Sequence, residues 1–491
     1  MSALYDLIVI GGGVNGAGVA RDAAGRGAKV LLLEAGDLAG GTSSKSTKLI
    51  HGGLRYLEYA EFALVREALV ERERLWAIAP HIVWPMRFVL PVSDGMRPRW
   101  MLRAGLFLYD HIGKREDLSA TRTIRLKRDP AGKELLLGPT HGFEYSDCWV
   151  DDARLVVLNA LDAARKGAEI RTREPVTSAR RDADGQWQVV TEQGTYRARA
   201  VVNAGGPGAD EVAGAMGRKP AFGLRRVRGS HIVVRRRFGH DRAYILQLPD
   251  TRICFAIPYE GEFTLIGTTD ADHTGPLDNV EASEAEIAYL IEAFNANFAD
   301  PIARADVVHS YAGVRALIDE GEDRPEAATR GYRLALSAKS EGAPVLGIYG
   351  GKITSYRHVA EEAVDMLGTR LDCLAKPAWT ADAPLPGGDF PKLAQPILVR
   401  ELQADYPFLS EAEALRIARA YGLDAVLWLG EAKTRADLGR DFGCGLSEAE
   451  VDYLHREEWA QTAEDILWRR TKLGLHMSAE QQADLREYLG A

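Results

Sequence analysis

Asp6-Leu-Ile-Val-Ile10, followed by Gly11-Gly12-Gly13-Val14-Asn15-Gly16-Ala17-Gly18, is the stretch that decides the fold. The apolar run at 7–10 predicts a buried strand, and residues 14 to about 26 predict a helix. Gly11, Gly13 and Gly16 fit G-x-G-x-x-G, with Asn15 inside the motif. Such a turn brings backbone N–H groups and the positive end of the helix dipole against a pyrophosphate. A second apolar strand, Lys29-Val-Leu-Leu-Leu-Glu34, ends in a carboxylate 18 residues after Gly16, next to Ala35. An acid there holds the ribose hydroxyls of an adenine dinucleotide. Strand, turn, helix, strand and acid in this order define an α/β, Rossmann-like dinucleotide domain.

The 491 residues exceed one ordinary domain, so two or three are expected. A net charge of −9 argues against nucleic acid as a partner. No 18-residue uncharged apolar stretch exists, and the N-terminus runs straight into the first strand, which leaves no room for a signal peptide. Cys148, Cys254, Cys373 and Cys444 are widely spaced, and the 11 histidines show no metal-ligand spacing. The expectation is a reduced cytosolic protein without disulfides or metal, whose redox chemistry is organic.

Residues 61–79 read as an amphipathic helix, and another is expected from Asp147 to Lys166, capped by Asp151 and Asp152. Strands at 187–191 and 199–203 lead into Ala204-Gly-Gly-Pro207. Strands at 230–234, 243–246, 253–257 and 263–267 suggest an inserted antiparallel sheet. Ala383-Pro-Leu-Pro-Gly-Gly-Asp-Phe-Pro391 reads as a linker. Beyond it, capping boxes at Ser410/Glu413, Ser447/Glu450 and Ser478/Gln481 announce a helical domain over 386–491. The boundaries drawn are 1–385 for the oxidoreductase part, with nucleotide-binding pieces 1–80, 145–222 and 331–380 and substrate pieces 81–144 and 223–330.

NAD and FAD both use the first turn, so other segments decide. Thr42-Ser43-Ser44-Lys45-Ser46-Thr47-Lys48-Leu49-Ile50-His51-Gly52-Gly53 is a hydroxyl- and amine-rich loop suited to a pyrophosphate and an isoalloxazine edge. About 340 residues after the first turn, Tyr349-Gly350-Gly351-Lys352-Ile353-Thr354-Ser355-Tyr356, followed by a helical pattern through Met366, reads as a second glycine-rich helix start. A dipole and an amine there stabilise negative charge on the N1–C2 edge of reduced flavin, and an NAD enzyme needs no such site. The cofactor expected is FAD.

At these motifs the chain resembles the FAD-dependent, quinone-linked glycerol-3-phosphate dehydrogenase family. The resemblance rests on 11–18, Lys48-Leu-Ile-His-Gly-Gly-Leu-Arg-Tyr-Leu57, Tyr145-Ser-Asp-Cys-Trp-Val-Asp-Asp-Ala-Arg-Leu155, Gly229-Ser-His231, Gly267-Thr-Thr-Asp270, Gly313-Val-Arg315 and Gly350-Gly-Lys352. It implies a glutathione-reductase/D-amino-acid-oxidase type of FAD domain, an inserted substrate domain, non-covalent FAD, and sn-glycerol 3-phosphate oxidised to dihydroxyacetone phosphate. Two positions depart from the family pattern: Gly208 replaces a usual Trp, and Ala316 a usual Pro.

Oxidising a secondary alcohol on flavin needs a hydride acceptor, a base for the hydroxyl proton, and rigid alignment. A phosphate dianion also needs a cationic grip, for which arginine forks are suited. Arg55, Arg315 and Arg330 are the candidates, Tyr56 a neutral donor, and Thr268 an orienting hydroxyl; Arg315 follows what reads as a turn at 311–314. His231 is the base of choice and His51 its competitor. Lys352 completes the catalytic set.

For the resembled family the electrons pass to ubiquinone or menaquinone, and a homodimer sits peripherally on the inner face of the cell membrane. Residues 96–115 suit an interfacial contact: Trp100, Leu102, Leu106, Phe107, Leu108 and Ile112 lie among five cationic residues and one acid. The other reading of that segment is an ordinary buried helix. Competing functions are an oxygen-using glycerol-3-phosphate oxidase, an amine or amino-acid oxidase on the same fold, and a non-catalytic flavin-binding protein.

Overall fold

Eight strands form the first sheet of the computed structural model, which describes residues 4–92, 98–113, 115–136, 138–250, 252–319, 321 and 331–490. Its main path runs Tyr332–Leu336, Val345–Gly350, Thr195–Asn203, Leu4–Ile10, Val30–Leu33, Glu169–Arg171. From Val345–Gly350 onward the path is parallel throughout. The apolar run at 7–10 is buried on both faces because helices cover one side and the hairpin Val176–Arg181/Trp187–Thr191 the other. The helix Val14–Gly25 packs between Asp152–Arg165 and Tyr356–Gly368, and its Gly and Ala residues allow close approach. Its two buried arginines are compensated: Arg21 meets Asp162 and Arg26 meets Asp22, each at 2.6 Å.

A second sheet has ten strands, ordered Ala271–Asp272, Leu224–Arg235, Phe263–Gly267, Ile253–Tyr259, Ala243–Gln247, Val83–Val92, His141–Val150, Leu49–Ile50. Val307–Ile318 pairs with Leu224–Arg235, and Arg122–Ile124 with His141–Val150. This sheet is larger than the spacing of apolar runs suggests. The strand His141–Val150 crosses the boundary read at 144/145, and the helix expected from Asp147 begins only at Asp152. Residues 147–150 pair with 83–86 instead, a long-range ladder that the helical pattern of the residues after 151 conceals.

The C-terminal part has its own apolar core, built from the helices Gln395–Asp405, Glu411–Tyr421, Glu448–Glu458 and Ala479–Tyr488. Ser410, Ser447 and Ser478 accept the N–H groups of Glu413, Glu450 and Gln481. A π-helix, Asp465–Arg470, lies against the first domain.

Candidate functional site

A cavity of about 640 Å³ reaches from the dinucleotide cradle of the first sheet to the strands of the second. At the cradle Gly11 turns with φ +114°, and a Cβ there would stand 2.5 Å from the Ala204 carbonyl oxygen. A side chain at Gly16 would run into the Gly11 carbonyl, so both positions need glycine for the turn to form. The N–H of Val14 donates to Ser43 Oγ at 3.0 Å, which sets a hydroxyl at the helix N-terminus. Glu34 accepts from the N–H groups of Gly12 (2.5 Å) and Gly36 (2.8 Å). Burial pushes its carboxyl above the usual range, and those N–H groups pull it back.

Asn15 spans the two glycine-rich turns: its Nδ2 donates to Gly350 O at 3.5 Å, and its buried Oδ1 has no partner among the described residues. Gly350 and Gly351 both have positive φ, and the helical pattern read after this turn is the helix Tyr356–Gly368, with Ser355 at its N-cap position making no side-chain hydrogen bond to the first turn. Lys352 lies on the cavity wall with its ammonium 3.7 Å from the Tyr56 ring centroid. An orphaned acceptor, glycines that leave room for a backbone-bound anion, and a ribose-gripping acid fit FAD.

The other end of the cavity is built on two long paired strands, Leu224–Arg235 and Val307–Ile318. Arg315 therefore sits in mid-strand, and the turn expected before it does not form; residues 311–314 pair with 228–231 throughout. Its guanidinium donates to Asp270 Oδ1 (2.7 Å), Thr268 Oγ1 (2.8 Å) and Thr269 O (3.2 Å). One cross-strand neighbour pair, Gly229 and Gly313, clears the wall beside it.

His231 is buried behind that wall and does not itself line the cavity. Its Nε2 meets the cavity-lining Thr47 Oγ1 at 2.9 Å, Nδ1 has no partner among the described residues, and the ring stacks on Tyr311 at 4.8 Å. Burial, then the charges of Arg315 and Lys48, hold its pKa well below the ordinary value, so the imidazole is neutral.

Of the residues singled out from sequence, Gly11, Gly13, Asn15, Glu34, Ala35, Thr42, Ser43, Leu49, His51, Tyr56, Thr268, Arg315, Gly351, Lys352 and Thr354 line this one cavity. Gly16, Ser44, Lys48 and Gly52 stand behind its wall. Lys48 points inward, onto Asp152 Oδ1 (2.8 Å) and Ser44 O (3.1 Å), so a pyrophosphate contact by its ammonium is not what the fold arranges. Asp152, expected as a cap, is its buried counter-ion, while Asp151 does cap, accepting from Arg154 N. The backbone of Arg55 lies in the 3₁₀ helix Leu54–Tyr59, its side chain lies outside what the structure describes, and Arg330 lies outside the described residues. Sequence reasoning missed Thr47, whose hydroxyl meets His231, and Asp270, which holds Arg315; both lie inside motifs already quoted.

The segment at 96–115 is described at 98–113 and 115 and contains the helix Arg99–Ile112. It is not buried all round. Leu102, Leu106, Tyr109 and Ile112 pack on the second domain, whereas Trp100 is 70% and Phe107 56% exposed, with Met101, Leu108, Arg99 and Arg103 on the same outward side. Among the described residues no helix is long and apolar enough to cross a membrane, and no group of three His, Cys, Asp or Glu could hold a metal ion.

The family model of FAD dependent oxidoreductases matches residues 6–357, so the chain belongs to that family of flavoproteins. The model for the C-terminal domain of alpha-glycerophosphate oxidase matches 378–487. Within the flavoproteins the chain belongs to the FAD-dependent glycerol-3-phosphate dehydrogenase family. It is 51% identical to glycerol-3-phosphate dehydrogenase of Pseudomonas aeruginosa over 100% of this chain and 96% of that protein. It is 48% identical to aerobic glycerol-3-phosphate dehydrogenase of Escherichia coli (99% and 97%), and 51% to D-erythritol 1-phosphate dehydrogenase of Brucella abortus (98% and 97%). The solved glycerol-3-phosphate dehydrogenase of Bacillus halodurans, complexed with FAD, superposes with a TM-score of 0.77 at 27% identity, covering 99% of this chain and 94% of that one.

Proposed function

We propose that this protein oxidises sn-glycerol 3-phosphate to dihydroxyacetone phosphate and passes the electrons to a membrane quinone. FAD, held non-covalently by the cradle, supplies the two-electron acceptor. The observation that carries the reading is Arg315: a guanidinium oriented by Thr268 and Asp270 on the wall of the cavity whose far end is the dinucleotide cradle. A planar fork fixed there is suited to a phosphate dianion. Arg55, Arg330 and Tyr56 are the remaining candidates for the substrate grip, and Lys352 stabilises negative charge at the cofactor. Neutral His231 is the proton acceptor, reached through the Thr47 hydroxyl.

For the acceptor, the outward face of the helix Arg99–Ile112 supports contact with a bilayer surface. Aromatic and apolar side chains beside arginines describe an interfacial helix attracted to anionic lipid. The family resemblance supports a homodimer attached peripherally to the inner face of the cell membrane. The identity to the erythritol-phosphate enzyme favours a second reading, in which the same grip takes a four-carbon polyol phosphate. Anaerobic addition of each phosphate to purified protein separates them. Rapid bleaching of the flavin by glycerol 3-phosphate supports the first reading; bleaching only by erythritol 1-phosphate selects the second; none at millimolar concentration of either refutes both.

A further inference from the structure

Among the described residues the C-terminal helical domain brings no side chain to the cavity wall, yet one short segment of it reaches the backing of three separate parts of that wall. From the π-helix Asp465–Arg470, Arg469 Nε donates to Asp37 Oδ2 at 2.5 Å, and Arg470 forks onto both carboxylate oxygens of Asp37 at 2.8 and 2.9 Å. Asp37 and Arg470 are buried, 5% and 0% exposed. Asp37 lies three residues after Glu34, in the loop whose Gly36 N–H holds the Glu34 carboxylate and whose Ala39 N–H bonds Gly12 O at 3.1 Å. Asp465 adds a second hold: it takes Arg173 at 2.5 Å, and the Arg173 N–H donates to Gly36 O at 2.8 Å.

Two residues beyond Arg470, Lys472 pairs with Asp151 at 2.8 Å. Asp151 caps the helix whose Asp152 takes Lys48 Nζ and Ser46 Oγ, each at 2.8 Å, and so anchors the 42–49 loop. Trp468 stacks on His309 at 4.2 Å, on the strand that carries Arg315.

We propose that residues 465–472 position the cofactor cradle, so that FAD affinity depends on Arg470 and Lys472 although neither lines the cavity. Arg470 and Lys472 are positioning residues: they fix the loops that present Glu34, Ser43 and Ser46, and docking of the C-terminal domain is thereby linked to cofactor binding. The proposal rests on FAD occupying this cavity and is independent of which polyol phosphate is oxidised.

The test uses the full-length protein. Apoprotein of Arg470→Met, Arg470→Lys and Lys472→Met is titrated with FAD by fluorescence quenching, and FAD release from holoenzyme is followed after dilution. Asp424→Asn, which breaks the Arg165–Asp424 docking pair (2.8 Å) away from the cradle, is the control. Removing Arg470 leaves the buried Asp37 with Arg469 alone, and removing Lys472 takes away the ammonium paired with Asp151, so Arg470→Met and Lys472→Met are expected to raise the FAD dissociation constant by about tenfold or more. Arg470→Lys recovers part of the loss, and kcat at saturating FAD stays within about twofold. The stabilisation that FAD adds to the melting temperature shrinks in the same variants. Asp424→Asn lowers apo and holo melting equally and leaves the dissociation constant unchanged. The proposal is overturned if Arg470→Met and Lys472→Met bind FAD as the parent does, or if Asp424→Asn weakens FAD as much as they do. Should Arg470→Met fail to fold, Arg470→Lys and Lys472→Met decide by the same readings.

Discussion

Gly229→Ala tests whether the placement of Arg315 controls turnover. Gly229 has an ordinary strand conformation, so alanine brings no backbone strain, and alone it would stiffen the unfolded chain slightly in the protein's favour. The obstacle is one side chain. A Cβ at 229 would lie 2.6 Å from Arg315 Cζ, 2.7 Å from Nη1 and closer still to Nη2. Ordinary contact begins near 3.4 Å, so the guanidinium must retreat by about 1 Å, more than its 2.7–3.2 Å hydrogen bonds to Asp270, Thr268 and Thr269 allow. Arg315 is the far end of a flexible side chain, so the sheet stands and the head moves. A misplacement of about 1 Å at a substrate-positioning group costs roughly a hundredfold, about 2.7 kcal/mol of transition-state stabilisation. The assay is kcat/KM with glycerol 3-phosphate and a soluble dye acceptor, beside flavin content and melting temperature. The expected variant is yellow, melts like the parent and turns over about 30- to 100-fold less efficiently. A kcat/KM within threefold of the parent, flavin retained, would refute the reasoning.

Lys48→Met leaves Asp152 buried without its partner, and a loss of about 3–5 kcal/mol is expected by denaturant unfolding; an unchanged midpoint would show that the pair contributes nothing. His81 is wholly buried, and burial, then Arg154, lowers its pKa from 6.5 to about 3. Because the folded value lies below the unfolded one, the stabilisation by neutral His81 is complete above pH 6.5 and is lost as pH falls from there toward 3, by about 1.4 kcal/mol per unit. The unfolding free energy of the parent relative to His81→Leu should therefore decline over that window, and parallel pH curves would contradict it. Trp100→Ser with Phe107→Ser removes the two most exposed aromatics of the helix Arg99–Ile112 and should cut partitioning onto anionic vesicles about tenfold or more while leaving dye-linked activity intact; equal partitioning would place the contact elsewhere.

Where a rule acts within a few residues, the reading along the chain was close. The turn at Gly11 comes out as strand, loop and helix because an apolar run, three glycines and a helix start admit no other local backbone. The amphipathic helix expected at 61–79 is Phe62–Ile78, and the Ser410 and Ser478 boxes form as spaced. The errors lie where a partner sits far away. Residues 311–314 resemble a turn through Gly313, yet they extend because Leu224–Arg235 offers a ladder along their whole length. The Asp147 run joins a strand for the same reason.

The sequence alone determined the dinucleotide cradle, its acid at Glu34 and the ordered elements around them, since periodicity, turn chemistry and caps are properties of neighbouring residues. Tertiary structure decided what each charged group meets: that Lys48 faces Asp152 and not the cavity, that His231 reaches it through Thr47, that one side of Arg99–Ile112 is left uncovered, and that Arg470 closes on Asp37 across 433 positions. An ion pair forms wherever packing brings opposite charges out of water together, and no spacing along the chain encodes that meeting.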